Sequence, residues 1–456
     1  MDTAAKKQSP PAPLAPSAFD IAQPFRTKLA NGLELVLFEN KRLPLVSFRL
    51  AFRSGDINDP TGKTGLTSAI ASMLTEGTLN YTSKQLAEKV ERLGANLGAH
   101  SSDDFTTVSA SALSLYSLEV LDLLAEAVLR PTFPENELDL YRRNTVEHLK
   151  FQRSQSSFLA GEQAARLIYG KHPYATVSPN AADVEGLERE ALKSFHARTY
   201  IPNNAMLIAV GDVDRDEFIK EVKSQFGGWQ QGSATFDNYA PPPHRDTRTL
   251  TIVDRRGSAQ SNIVLGNLAI DRTSPDYFPV LVMNQVLGAG ASSRVFMNLR
   301  EEKGYTYGAY TRLNTKRLAG DIEATAEVRN DVTGVSLKEF FYELERIRDE
   351  DVRDDELADA KSFLSGVFPI RAETQEGLTN LIVNQHLYGL PDDYLQTYRE
   401  HVDAITIADV RTAAEKYVRP AEMAIVIVGD ASQILDQVKP YAHSIEIYDT
   451  EGNKKD

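Results

Sequence analysis

The eight histidines, His100, His148, His172, His196, His244, His386, His401 and His443, are the strongest neutral metal ligands in this sequence, and no two stand three or four residues apart. That spacing is what sets two imidazoles on one helical face, so no helix presents the pair that grips zinc. Cysteine is absent, which removes thiolate ligands, thiol nucleophiles and disulfides together without fixing the compartment. His148 follows Glu147 in a helical stretch. Neighbouring helical positions diverge by about 100°, so the two cannot face one metal. Ser68 and Ser72 lie one helical turn apart in the run Gly65 to Thr78. Neither sits in a G-x-S-x-G turn and no base stands beside it, so small residues that let a helix pack closely are the plainer reading.

A second stretch pairs cations with phenols. Leu287-Gly288-Ala289-Gly290 leads through Ser292, Ser293 and Arg294 to Arg300, Gly304, Tyr305, Tyr307 and Tyr310. This pattern predicts a Gly-rich turn, a helix opened at Ser292 or Ser293, a stop at Gly304 and a strand carrying the tyrosines. The G-x-x-x-x-G-K-[ST] pattern is missing, so Gly288 and Gly290 do not form a phosphate loop. By themselves Arg300 and the tyrosines read as a solvated helix end beside a surface strand.

The elements that must position these groups come in two similar sets. Asn31-Gly32 marks a turn before apolar strands at Leu33 to Phe38 and Val46 to Phe52, and Leu66, Ile70, Met73 and Leu74 follow with helical periodicity. Tyr200-Ile201-Pro202 precedes the apolar run Met206 to Val210 and Gly211-Asp212; Tyr417-Val418-Arg419-Pro420 precedes Met423 to Val428 and Gly429-Asp430. Proline, glycine and aspartate match at one common offset, and Tyr169-Gly170 matches Tyr388-Gly389 at an offset one longer. Shared offsets point to an ancient duplication. The expected architecture is α+β: two homologous domains, each a largely antiparallel sheet with helices on one face and hairpin-like strand pairs early in each half.

The domains divide as a leader over 1–24, an N-terminal domain over 25–231, a linker over 232–248 around Pro241-Pro242-Pro243, a C-terminal domain over 249–447 and a tail over 448–456. The Pro-rich linker reads as stiff and the polar tail as frayed. Sixty-four acidic against 50 basic residues give a net charge of −14, and no Lys/Arg cluster interrupts it. That balance argues against a sequence-independent grip on nucleic acid or anionic lipid. No run approaches the ~18 apolar residues of a membrane span. The Ala/Pro-rich leader lacks a signal peptide's apolar core but is what often remains after one is cleaved, so a periplasmic or secreted location is expected, with the cytoplasm as the alternative.

Gly65 to Thr78 and the Arg/Tyr segment together resemble the pitrilysin/insulinase-type zinc peptidases, the inverzincins, including bacterial peptidases of the mitochondrial processing peptidase kind. The resemblance covers nearly the whole chain. In that family a helix carries H-x-x-E-H, two zinc-binding His and a general-base Glu. Laid on this sequence, the His positions fall on Ser68 and Ser72, the Glu on Ala71, and the third ligand on His148 with Glu147 one residue off. The resemblance implies that the zinc site is degenerate. It also implies that Arg300 and Tyr307, seven apart, are the family's pair that contacts the peptide backbone and developing oxyanion, with Arg294 the alternative arginine. No cofactor is expected in this chain; zinc is expected in a homologous H-x-x-E-H subunit, the two forming a heterodimer that cleaves peptides or unfolded segments. The alternatives are an inert scaffold and a peptide-binding protein of the same fold.

Overall fold

A computed structural model describes residues 21–455. Of the leader, 1–20 lie outside the described residues; Ile21 is buried and its carbonyl accepts a hydrogen bond from Gln396 Nε2 (2.8 Å). Strands β1 (Phe25–Lys28), β2 (Glu34–Glu39), β3 (Leu45–Phe52), β4 (Asn96–Ser101), β5 (Thr106–Leu113) and β6 (Ala205–Gly211) form one six-stranded sheet in the order β1-β2-β6-β3-β5-β4. Strands β7 (Thr249–Asp254), β8 (Gln260–Leu268), β9 (Thr306–Thr315), β10 (Gly320–Arg329), β11 (Ala424–Gly429) and β12 (Ser444–Tyr448) form the second, in the order β12-β7-β11-β8-β10-β9. Five strands correspond one to one between the sheets. The sixth does not: β1 pairs antiparallel with β2, whereas β12 pairs parallel with β7.

The expected hairpin-like pairs are only partly present. β6 lies between β2 and β3, and β11 between β7 and β8. Both intruding strands are apolar and buried at every position, and a strand covered on both faces belongs in the middle of a sheet. Gly211 ends β6 with φ of 135°, where a Cβ would come within 2.1 Å of the Leu45 carbonyl oxygen, so only glycine fits. The duplicated glycines mark equivalent strand exits.

Side-chain alternation then divides each sheet. Leu35, Leu37, Phe48, Leu50 and Leu207 face the first half's own helices, including Leu66–Met73 and Ser117–Leu129. Val36, Ala51, Met206, Ile208 and Val210 face the other way and share a core with Leu378 and Ile382. Those last two belong to helix Gln375–Leu387 of the second half, which packs on β3 and β6. The reciprocal helix, Ser156–Tyr169, packs on β8 and β11 through Leu159, Ala160, Ala164 and Ile168. Each sheet therefore carries its own helices on one face and a helix exchanged from its twin on the other. The two exchanged helices end at Tyr169-Gly170 and Tyr388-Gly389, with both glycines at positive φ (61° and 63°).

Polar clamps fix the exchange. Arg49, buried on β3, places Nη2 2.6 Å from both Glu376 carboxylate oxygens, and Nη1 donates to the Phe48 carbonyl at 3.0 Å. Tyr169 Oη donates to Asp321 Oδ2 at 2.5 Å, a buried bond that joins the halves, and Tyr174 Oη donates to Asp104 Oδ1 at 2.5 Å within the first half while accepting from Leu318 N (3.2 Å) of the second. Burial raises the Asp321 carboxyl while its bonds from Tyr169 and Asn314 oppose the rise. The segment 232–248 runs without helix or strand up to Arg248, held by Tyr239 Oη donating to the Ile57 carbonyl (2.6 Å). The tail, expected to fray, folds back instead: Lys455 N donates to Ile447 O (2.7 Å) and Lys455 Nζ pairs with buried Asp254 (2.7 Å), a partner that local composition does not reveal.

Because each half completes its twin's core, the two should melt as one. Calorimetry should give a single cooperative transition, and Glu376→Ala should lower its stability by ~1–3 kcal/mol by leaving a buried guanidinium short of a partner. Two resolved transitions would show that the halves fold independently.

Candidate functional site

Helix Leu66–Met73 starts where Asp59 gathers three donors: Gly65 N (2.6 Å), Thr67 N (2.8 Å) and Thr67 Oγ1 (2.6 Å). Burial pushes the Asp59 carboxyl up to about 7 against the pull of these bonds. Both of its oxygens accept bonds from the helix start. One turn on, Ser68 Oγ donates to Asp56 Oδ1 (3.0 Å), which also accepts from Ser101 Oγ (2.7 Å). Burial raises Asp56 as well, opposed by those two hydroxyls. Ala71 is buried and Ser72 is exposed; the Ser72 side chain lies beside the Tyr141 phenol.

Opposite stands helix Glu135–Arg153, whose Tyr141, Thr145 and His148 follow one another at helical spacing along one face. All three, with Asp56, Asp59 and Ser68, line a cavity of about 440 Å³. The structure thus brings Ser68 and His148 to one cavity, with Ser72 joined to it through Tyr141. Glu147 lies outside that lining and is exposed, paired with Lys150 (2.7 Å). Asp56, Asp59, Tyr141 and Thr145 were not singled out from the sequence; the run of Tyr141, Thr145 and His148 at helical spacing was the available signal.

These residues do not fit a zinc ion. Ser68, Ser72 and His148 offer two hydroxyls and a single imidazole, and one hydroxyl is already spent on Asp56. Among the described residues no group of three His, Cys, Asp or Glu is placed to hold a metal.

The Arg/Tyr segment folds differently from an ordinary helix and strand. Ser293 takes the N-cap position of the short helix Arg294–Phe296, yet its hydroxyl donates back to Gly290 O (2.5 Å) and caps nothing. The chain then widens into i→i+5 turns over Met297–Glu302, with Lys303 N reaching Asn298 O at 3.0 Å. Arg294 turns inward: its side chain is 3% exposed and its fork holds Glu356 at 2.9 and 2.8 Å. Arg300 turns outward over the Phe296 ring (4.9 Å to the centroid) and makes a long, exposed pair with Glu301 (3.5 Å). Tyr307, on edge strand β9, is 91% exposed. Both candidate donors are therefore presented to solvent, whereas the alternative arginine is a structural ion pair.

The two candidate regions are far apart within the chain. The far end of β9 leads to Lys316, which pairs with Asp103 (2.9 Å), a residue lining the degenerate cavity. Tyr307 lies nine residues back, roughly 25–30 Å along the strand at 3.3 Å per residue. Neither an Arg nor a Tyr side chain bridges that span.

Comparison with known proteins agrees with both halves of this description. The family model described as "Insulinase (Peptidase family M16)" matches residues 35–171, and "Peptidase M16 inactive domain" matches residues 186–364. The chain is 26% identical over 62% of its length to an uncharacterized zinc protease of Bacillus subtilis, covering 68% of that protein. It is 23% identical over 86% of its length to a non-peptidase homolog of Helicobacter pylori, covering 90%. Among solved structures, a peptidase M16 inactive domain from Pseudomonas fluorescens superposes with a TM-score of 0.82 at 26% identity, covering 89% of this chain and 98% of that one. A protease from Helicobacter pylori superposes at 0.84 and 20% identity, covering 90% and 100%.

If the serines occupy emptied ligand positions, restoring imidazoles should restore metal. The double variant Ser68→His with Ser72→His should take up about one zinc per chain, with His148 as the third donor, and lose it when His148→Ala is added. Equilibrium dialysis would measure this, and no uptake by the double variant would show that the face no longer points at His148. The two matched models and the shared two-sheet architecture establish that this chain is a member of peptidase family M16, the insulinase or pitrilysin-type zinc peptidases.

Proposed function

We propose that this chain is the non-catalytic subunit of a heterodimeric zinc peptidase, supplying Arg300 and Tyr307 to the site of a homologous partner that carries H-x-x-E-H. The observation that carries this reading is the division of labour within one chain: the positions that would be ligands are Ser68, Ser72 and His148, while an exposed Tyr307 stands roughly 25–30 Å away along β9, with Arg300 exposed on the helical turns that precede that strand. They cannot serve the chain's own cavity. A homodimer would repeat the same deficit, with two Arg/Tyr pairs and no general base.

In such a heterodimer the partner's metal would supply the electrophile and the activated water. The Arg300 guanidinium would offer a planar fork of donors to peptide carbonyls, and the Tyr307 phenol one hydrogen bond where negative charge develops. Main-chain recognition of this kind suits peptides or unfolded segments, since it reads backbone more than side chains. A second reading, an inert scaffold, draws support from the Helicobacter pylori relative described as a non-peptidase homolog. It requires that Arg300 and Tyr307 be dispensable to any partner.

Mixing the purified chain with an H-x-x-E-H homologue from the same organism and an internally quenched peptide separates the two. Cleavage should appear in the mixture and be blocked by chelation, and Arg300→Ala or Tyr307→Phe should each reduce it ~10-fold or more. Full activity of the homologue alone, or indifference to both substitutions, would favour the scaffold.

A further inference from the structure

Strict alternation would hide Tyr307. On β9, Ala309 and Thr311 are buried on the face that carries the second half's helices, where Thr311 Oγ1 bonds Asn284 Oδ1 (2.8 Å). Counting back by two from Ala309 puts residue 307 on that same covered face. It is instead the most exposed large hydrophobic side chain among the described residues.

The register supplies the reason. Ala326 pairs with Ala309 and Val328 pairs with Thr306, so Tyr307 and Gly308 together oppose the single residue Glu327. This is a β-bulge of one extra residue, a device that re-aims a side chain. Glu327 alternates with Ala326 and Val328, which are buried against the helices, so the bulged pair turns to the open face of the sheet.

One side chain pins the bulge. Thr306 Oγ1 lies 2.6 Å from Glu327 O and 2.9 Å from Gly308 O, and accepts from Gly308 N at 3.1 Å. It thus touches the backbone on both sides of the irregularity and satisfies an amide that regular pairing would otherwise serve. Beside it the Tyr310 ring lies over Gly308, where a Cβ would come within 2.7 Å of the ring. Tyr310 also packs on Phe296 (5.4 Å between centroids), the ring beneath Arg300.

We propose that Thr306 is a positioning residue: its hydroxyl holds the bulge at Tyr307-Gly308 and so aims the Tyr307 phenol at the partner's reaction centre. This rests on the reading of Tyr307 as a donor to a partner site, and deepens it by naming what fixes the donor's direction. The methyl and backbone of Thr306 contribute nothing that valine could not, so the hydroxyl alone can be tested.

The test is steady-state kinetics of the mixture with the H-x-x-E-H homologue and a quenched peptide, using Thr306→Val, Thr306→Ser and Tyr307→Phe. Thr306→Val should lower kcat ~10-fold or more with KM within about twofold, the signature of a misplaced transition-state donor, and Thr306→Ser should restore kcat. Hydrogen exchange at the Gly308 amide of the single chain should rise in the valine variant and return in the serine variant. If Tyr307→Phe impairs cleavage and Thr306→Val does not, the positioning role is overturned while the heterodimer reading stands. If Tyr307→Phe itself has no effect, both fall.

Discussion

The packing of each half's long helix on the opposite half's sheet is the constraint on which the rest of this molecule depends. Two sheets with one apolar face already covered would each leave a second apolar face in water. Helices Ser156–Tyr169 and Gln375–Leu387 resolve that reciprocally, burying Ile168 on one sheet and Ile382 on the other. Full burial of each such side chain contributes ~1.5–3 kcal/mol. Directional clamps between Arg49 and Glu376 and between Tyr169 and Asp321 then fix how far apart the sheets stand.

The cavity is lined by facing helices, and Asp59 anchors the start of the helix that bears Ser68 and Ser72. Ser68 now closes a hydroxyl and carboxylate cluster with Asp56 and Ser101, which satisfies buried polar groups internally and leaves no open coordination. The second half presents Arg300 and Tyr307 outward through two departures from regular structure, widened turns over Met297–Glu302 and a bulge at Tyr307. Departures of this type are found where a side chain must be aimed.

Much of this was legible from residue order. The duplication showed in Pro202 and Pro420, Gly211 and Gly429, because each pair flanks an equivalent buried strand, before its start and at its exit. The helix exchange was not, although Tyr169-Gly170 and Tyr388-Gly389 matched: an equivalent helix end says nothing about which of two similar apolar faces will receive the helix. The central places of β6 and β11 were signalled only by uninterrupted apolar runs, since pairing across the chain leaves no local trace. Asp56 and Asp59 lie outside the ligand motif and act through folded geometry. The bulge did leave a mark, because Tyr305, Tyr307 and Tyr310 break a period of two, but the hydroxyl that pins it becomes visible only with the register.

The most direct measurement is metal content joined to activity for this chain alone. After equilibration with zinc and desalting, the purified chain should retain well under one zinc per molecule and show no chelator-sensitive cleavage of a quenched peptide. Zinc near one per chain, together with cleavage that a chelator abolishes, would contradict the account.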